Sequence, residues 1–196
     1  MTSADLYDTY LRVMNEDQLD IYVTGNVTES ETRKLLEKFD FSPRKAVKWD
    51  PFHYRNKTGT IRKKKETQKI NQTILTMAFW TPIYYQNEYY FTGLVFDGIF
   101  GSMPHSGLFM TIRENENLAY AISSDVDAYR GMLTVEAGIE SKDVRKVTDL
   151  VRKELKKIIE GAFTEEDILQ TKEILKSEIC QFADSPYSMI EKDYSM

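Results

Sequence analysis

Residue types that build metal sites and disulfides are scarce in this 196-residue sequence. It has one cysteine, Cys180, and two histidines, His53 and His105. A single cysteine excludes an internal disulfide framework and a cysteine-rich zinc module. The two histidines are widely separated, so neither belongs to a helical zinc motif of the H-x-x-E-H or H-E-x-x-H type. We therefore expect no metal ligands and no cofactor in this chain, and we interpret both histidines as surface or loop residues.

Long apolar runs and an excess of positive charge are also missing. No stretch approaches the roughly 20 apolar residues of a membrane-spanning helix, and the polar start MTSADLYDTY does not resemble a signal peptide. The net charge of −5, from 26 Lys and Arg against 31 Asp and Glu, disfavours general binding to nucleic acid. We therefore expect a cytoplasmic, bacterial protein with neither a membrane nor a nucleic acid as partner.

Positive charge is concentrated in one cluster, residues 55–65 (RNKTGTIRKKK). We interpret this cluster as an exposed edge strand or linker, in which lysines block unwanted pairing with other strands. The alternative is a nucleic-acid module, which would bind through these residues with a strong dependence on salt concentration.

The rest of the composition is that of a globular domain. Hydrophobic residues make up 41% of the sequence and charged residues 29%, with 24 aromatic residues and only nine glycines and five prolines. A chain of this length buries roughly 70% of the surface that its unfolded form exposes, so it needs no disulfide to hold a core.

The first forty residues predict a helix, a strand and a helix. The first helix spans residues 3–17 with Ser3 as its cap, and alternating residues predict a strand over Leu19–Thr24. Thr28 and Glu31 form a capping box for the next helix, which extends to about Phe39. Residues 41–56 contain two prolines and no periodicity, and we interpret them as a connector.

Residues 57–196 predict two strand pairs, each followed by two helices. The expected first pair is Gly59–Lys65 and Ile70–Trp80, followed by a buried helix over 87–101 and a short helix over 106–115. A hairpin with its turn at Tyr129–Gly131 joins the second pair. Two amphipathic helices follow, capped by Ser141 and Thr164, with Cys180 as a core or boundary residue of the second. The order ββααββαα predicts an α+β fold with helices on one face of an antiparallel sheet.

Most chemical motifs fail on spacing. Gly93, Gly98, Gly101 and Gly107 match neither G-x-G-x-x-G nor a P-loop, and His105-Ser106-Gly107 lacks the form of a nucleophile elbow. Arg113, near a helix end, and Tyr120, at a strand start, remain. Both are hydrogen-bond donors that can hold a carbonyl oxygen and stabilise the oxyanion formed when it is attacked. The alternative is structural: an arginine capping helix carbonyls and a tyrosine packing at a strand end.

The segment around this pair resembles a known family. It has a glycine-containing turn at Gly101, then Ser106-Gly107-Leu108-Phe109, and then an Arg-Glu-x-x-x-Leu-Ala-Tyr motif from Arg113 to Tyr120. This order is similar to the second repeat of insulinase/pitrilysin-type zinc metallopeptidases, which include the mitochondrial processing peptidases and their bacterial relatives. A Gly-x-x-Thr-Glu-Glu-Asp junction at 161–167 and the stretch from Asp20 to Thr28 are also similar to family segments.

The resemblance implies a fold and a role. The family has repeated α+β units whose halves close around a peptide, with zinc held by H-x-x-E-H in the first repeat of the active half. That motif is absent here, so the zinc is expected in a partner half or an upstream repeat, and this chain alone is expected to be inactive. The implied role is a non-zinc domain that forms part of the peptide chamber. Arg113 and Tyr120 correspond to the family's pair that reaches the substrate carbonyl.

Two departures from the family pattern bear on that role. The family usually has glycine before Leu-Ala-Tyr and arginine before Leu-Phe, where this sequence has Asn117 and Gly107. The alternative function is therefore a catalytically silent homologue that acts as a scaffold or partner-binding subunit. An H-x-x-E-H motif upstream of this sequence or in a partner protein would favour the interpretation as a domain of an active enzyme.

The resemblance also predicts how the chain is organised. Residues 1–40 are expected to be the end of one repeat, 41–56 a connector, and 57–196 an incomplete second repeat, all in one globular unit cut from a longer protein. We further hypothesise that the strand at Leu19–Thr24 fills a vacant position in the sheet. It would do so within one chain, or between two chains as a strand-exchanged homodimer. Expected partners are thus a peptide substrate, a homologous metallopeptidase half or subunit, and a second copy.

Overall fold

The computed structural model of the chain describes residues 2–39, 41, 44, 59–67, 72–183 and 185–195. The chain divides into two compact units, one made of Met1–Asp50 with Ser177–Met196 and the other of Pro51–Lys176. Part of the basic cluster, His53 and part of the expected strand at Ile70–Trp80 lie outside the described residues.

The first unit contains helices α1 (Ser3–Glu16) and α2 (Glu29–Leu36), and helix α6 (Pro186–Ser195) near the other end of the chain. A capping box begins each of the first two helices. Thr28 and Glu31 form the one on α2, as expected, whereas the cap of α1 is Thr2 with Asp5 rather than Ser3. Arg44 donates through its guanidinium to the carbonyl oxygens of Met14 and Asp17, which satisfies groups that the end of α1 leaves free.

The prediction of a strand at Leu19–Thr24 is wrong, because the structure assigns no strand to these residues. The described residues form one sheet of three strands, all of which lie in the second unit. Leu19–Thr24 is not among these three strands. Its apolar side chains are exposed, like those along α1.

Among the residues of the second unit that the structure describes, one strand precedes the buried helix, not two. The expected strand at Gly59–Lys65 is wrong: the described residues 59–67 are irregular, and Ile61 is 79% exposed. The expected order ββααββαα is thus corrected to one strand, two helices, two strands and the final helices. The elements are β1 (Thr73–Trp80), α3 (Tyr90–Asp97), the π-helical segments π1 (Gly98–Ser102) and π2 (Phe109–Asn115), β2 (Ala119–Asp127), β3 (Met132–Ile139), α4 (Val144–Ile159) and α5 (Glu165–Ala183).

The sheet is antiparallel in the order β1-β3-β2, with one covered face and one open face. Alternate residues are buried, so that Leu75 and Ile122 both lie opposite Ala137 on the covered face. The core on this face includes Phe100, Leu108, Ile112, Val135, Ile139, Val147 and Val151. An α+β fold with helices on one face of an antiparallel sheet is therefore confirmed.

The expected hairpin and helix ends are mostly confirmed. Asp127 accepts from the backbone N–H groups of Tyr129 and Arg130 in the turn between β2 and β3, and Gly131 follows with φ of 62°. Gly161 ends α4 with φ of 78°, and Thr164 caps α5. Ser141 was expected to cap α4 but its hydroxyl lies 2.5 Å from that of Thr73. Cys180 is exposed and is not a core residue.

Candidate functional site

Arg113 lies in the last turn of π2. Its guanidinium carbon is 4.7 Å from the centre of the Phe109 ring, one turn earlier, a distance at which a cation is attracted to the ring face. Its Nε is 3.8 Å from Oε1 of Glu114, and both of these side chains are about half exposed. The ring contact restricts the arginine side chain, which nevertheless stays about half exposed.

A tight turn follows π2 and leads into β2. The N–H of Glu116 donates to the carbonyl of Thr111 at 3.1 Å, and the N–H of Leu118 donates to the carbonyl of Ile112 at 2.9 Å. Between them, Asn117 has φ of 49°, in the left-handed region. Asparagine is the residue other than glycine that most readily adopts this conformation, so Asn117 can keep the turn that glycine is expected to make here.

Tyr120 lies at a bulge at the start of β2. Ala119 is opposite Ile139 and Ala121 is opposite Gly138, so Tyr120 has no residue opposite it on β3. The bulge leaves the tyrosine 65% exposed. Bulges often redirect a side chain next to a functional site.

The structure thus places the two predicted residues on either side of one short turn, both accessible. No hydrogen bond or ring contact joins Arg113 to Tyr120 among the contacts of the described residues. The arrangement presents a permanent cation and a phenol, which are two donors suited to one oxygen that gains negative charge.

Further ion pairs lie near this turn, and they involve residues other than Arg113 and Tyr120. Lys146 of α4 contacts Glu116 at 2.6 Å across the surface. A hydrogen bond to Glu140 raises the pKa of Lys142, which follows β3. Exposed ion pairs of this kind contribute little to stability.

Sequence reasoning missed two buried acids. Asp97, at the end of α3, is 7% exposed and accepts a 2.5 Å hydrogen bond from the hydroxyl of Ser124 on β2. Burial raises the pKa of Asp97 to about 6, although hydrogen bonds from Ser124 and Ser102 act in the opposite direction. The available signal was the single acid, Asp97, within the largely apolar helical segment YYFTGLVFDGIFG.

The second missed acid is Glu154 on α4. It is 5% exposed, accepts from the hydroxyl of Thr111 on π2 at 3.1 Å, and lies 2.7 Å from Nζ of Lys157. Its sequence signal was its position in the apolar stripe of α4, since Glu154 follows Val147 and Val151 at helical spacing.

The open face of the sheet carries small and polar residues. Thr76 is opposite Glu136, and Ser123 lies on the other side of that same Glu136. Larger side chains, Ile74 and Trp80, are exposed on β1. Such a face offers a shallow surface, and β1 and β2 are the edge strands of the described sheet, the type of position at which an extended chain can pair.

The described residues do not fit a zinc ion. They contain no group of three or more His, Cys, Asp or Glu side chains placed to hold a metal. His105 Nε2 is 2.9 Å from the hydroxyl of the buried Thr171, so this ring nitrogen already has a partner. Within the same residues, no helix is both long and apolar enough to cross a bilayer.

The described residues thus form an α+β domain with helices on one face of an antiparallel sheet, and Arg113 and Tyr120 lie exposed on either side of one turn. The profile of the family described as "Peptidase M16 inactive domain" matches residues 1–175. The chain belongs to this family.

Two curated relatives are from Bacillus subtilis strain 168. The "Probable inactive metalloprotease YmfF" is 28% identical over 191 residues, which cover 97% of this chain and 45% of that protein. The "Uncharacterized zinc protease YmxG" is 24% identical over 183 residues, covering 90% of this chain and 43% of that protein. The chain thus spans less than half the length of these relatives, and their source supports a bacterial origin.

A solved structure has the same fold over nearly the whole chain. It is a conserved protein from Enterococcus faecalis V583, with 40% sequence identity and a TM-score of 0.81. The match covers 99% of this chain and 46% of that one.

Proposed function

We propose that this chain forms a non-zinc wall of the peptide chamber of an M16-type zinc metallopeptidase, and that Arg113 and Tyr120 donate to the carbonyl oxygen of the scissile bond. The observation that carries the proposal is the placement of both side chains, accessible, on either side of the turn at Asn117. An arginine that capped helix carbonyls would donate hydrogen bonds to them, and a tyrosine that packed at a strand end would be more buried than Tyr120 is.

The chemistry follows from the two donors. An attacked carbonyl oxygen gains negative charge, and a guanidinium and a phenol that already face it stabilise that charge more than they stabilise the substrate. The aromatic contact with Phe109 limits the freedom of the guanidinium before substrate arrives. The open sheet face and its free edges would bind the peptide chain on either side of the cleaved bond.

The test is substitution in the assembled peptidase. Arg113→Ala and Tyr120→Phe should each lower kcat by about 10²-fold, because each removes one donor to the developing oxyanion. Arg130→Ala and Tyr89→Phe, at exposed positions remote from the turn in sequence, are the matched controls and should leave kcat unchanged. Normal turnover in both Arg113→Ala and Tyr120→Phe, with the fold intact, would leave the pair a structural role only.

The zinc belongs, in this proposal, to a homologous half of the peptidase, supplied by a partner subunit or by an upstream repeat. When bound there, it would supply the water-activating chemistry of a metallopeptidase. This chain would contribute substrate binding and the two donors.

A second candidate function is a catalytically silent scaffold or partner-binding subunit. It is favoured by the similarity to a relative that is itself described as an inactive metalloprotease. The two candidates differ in one feature of the parent protein or its partner. An H-x-x-E-H motif there supports the enzyme, and its absence from both supports the scaffold.

A homodimer formed by exchange of residues 19–24 is a further proposal about partners. Its support is the alternating segment itself, whose apolar side chains Leu19, Ile21 and Val23 are exposed. Light scattering should detect a dimer that Ile21→Pro abolishes, because proline cannot donate to a strand ladder. A monomer at every concentration would contradict it.

We also propose that the protein is cytoplasmic, which cell fractionation can test.

A further inference from the structure

The buried carboxylate of Glu154 lies at an unusual place on α4. Val147, Val151 and Glu154 are the buried residues of this helix, so the acid occupies a position on the face that otherwise packs in the core. Burying an ionised carboxylate is costly unless it is paired and hydrogen-bonded. Its retention at this position therefore calls for specific partners.

Those partners come from two elements. Oε1 of Glu154 lies 2.7 Å from Nζ of Lys157, which is one turn further along α4 and about half exposed. The same oxygen accepts from the hydroxyl of Thr111 at 3.1 Å. The lysine compensates the charge, and the threonine binds the carboxylate to π2, the segment that ends in Arg113.

Gly107 provides the space for this contact. A Cβ atom at position 107 would lie 3.1 Å from Oε2 of Glu154, closer than most Cβ atoms approach a neighbour. The carboxylate thus faces the helical turn from 107 to 111, and a side chain at 107 would press against it.

We propose that Glu154 is a positioning residue for Arg113, acting through Thr111; this rests on the proposed function of Arg113. A π-helical turn is rare and is frequently found at functional sites, and the hydrogen bond from Thr111 to Glu154 ties this one to α4. Thr111 is fixed twice, by its hydroxyl on Glu154 and by its carbonyl, which accepts from Glu116 in the turn. Holding Thr111 therefore fixes both the base of the Arg113 turn and the start of the loop to Tyr120.

The first test measures local opening in this chain by amide hydrogen exchange. Thr111→Val removes the hydroxyl at nearly constant volume, and we expect exchange over residues 110–118 to become about tenfold faster. Thr111→Ser should restore slow exchange. Thr148→Val is the matched control, because the hydroxyl of Thr148 donates only to the carbonyl of Val144 within α4. Unchanged exchange in Thr111→Val would overturn the proposal.

The second test uses the assembled peptidase. Thr111→Val should lower kcat by about fivefold to tenfold with little change in KM, and its effect should be smaller when Arg113 is already alanine. If Arg113→Ala lowers kcat but Thr111→Val does not, the positioning role of Glu154 is refuted. If Arg113→Ala has no effect, the proposed function fails instead, and the exchange experiment alone decides whether Glu154 holds the segment.

Discussion

At the scale of single residues, Asn117 shows how a departure from the family pattern can keep the local geometry. The left-handed region is sterically unfavourable for residues with a Cβ atom, and the free-energy cost is smaller for asparagine than for most of them. The turn between Arg113 and Tyr120 requires this conformation at 117, where φ is 49°. The pattern alone revealed a substitution, and the backbone explains why it is tolerated.

We predict that Asn117→Gly leaves the free energy of unfolding unchanged or slightly raised, whereas Asn117→Val lowers it by about 1–2 kcal/mol. The reason is that a β-branched side chain is strongly disfavoured at positive φ. Urea unfolding of the three proteins is the measurement. Equal stability of the valine variant would mean that the turn does not hold this conformation in solution.

Asp97 gives a second prediction at this scale, for the dependence of stability on pH. Burial raises its pKa from 3.8 to about 6, so the folded state holds a proton that the unfolded state releases. Stability from this group is therefore fully present below pH 4 and is lost as the pH rises to about 6. The loss should be on the order of 2–3 kcal/mol.

The measurement is the difference in unfolding free energy between the wild-type protein and Asp97→Asn. Asn can still accept from Ser124 but does not ionise, so it should gain stability relative to wild type between pH 4 and 7. Asp5, Glu31 and Asp167 have pKa values lowered by hydrogen bonds from capping threonines, and they cancel in this difference. Asp149→Asn, at an exposed carboxyl, is the control. A constant difference across this pH range would contradict burial of an ionisable Asp97.

At the scale of elements, the sequence predicts best what depends on neighbouring residues. The capping box at Thr28, the cap at Thr164, the stop at Gly161 and the hairpin before Met132 each depend on contacts within a few residues. Their side chains and backbone angles are set locally, so the pattern of residue types is sufficient to place them.

Elements that need a distant partner were predicted less well. Alternation at Leu19–Thr24 satisfies the local pattern of a strand, and Gly59–Lys65 was interpreted as an exposed edge strand, but a strand also needs another strand to accept its hydrogen bonds. The second segment has one large apolar residue, Ile61, and little surface to bury. Ser141 likewise bonds to Thr73, a contact that local spacing cannot reveal.

The candidate site divides in the same way. Arg113 and Tyr120 were predictable because they flank a short turn and match a family motif. Thr111 and Glu154 were not, because the hydrogen bond between them joins π2 to α4 across 43 residues of sequence. A pair that flanks one turn leaves a compact signal in the sequence, whereas a contact between two distant elements is found only in three dimensions.

At the scale of the whole molecule, the proposed function assigns this chain to one part of a larger peptidase. It spans less than half the length of its curated relatives, and its family is described as an inactive domain. The sequence has two histidines, one cysteine and no H-x-x-E-H motif. A catalytic zinc site takes three protein ligands and a second shell that orients them. The chemistry and the oxyanion donors would then lie on different halves.

We therefore predict that the chain alone hydrolyses no peptide, with or without added Zn²⁺. The measurement is cleavage of a quenched fluorescent peptide, with a chelator added in parallel to distinguish zinc-dependent turnover from a contaminating protease. Adding a homologous half that carries H-x-x-E-H should produce chelator-sensitive cleavage, and Arg113→Ala in this chain should reduce it. Chelator-sensitive cleavage by the chain alone would mean that it holds zinc through other ligands. The proposal that the zinc and the two donors lie on different halves would then be wrong, even if Arg113 acts on the carbonyl, because one chain would supply both.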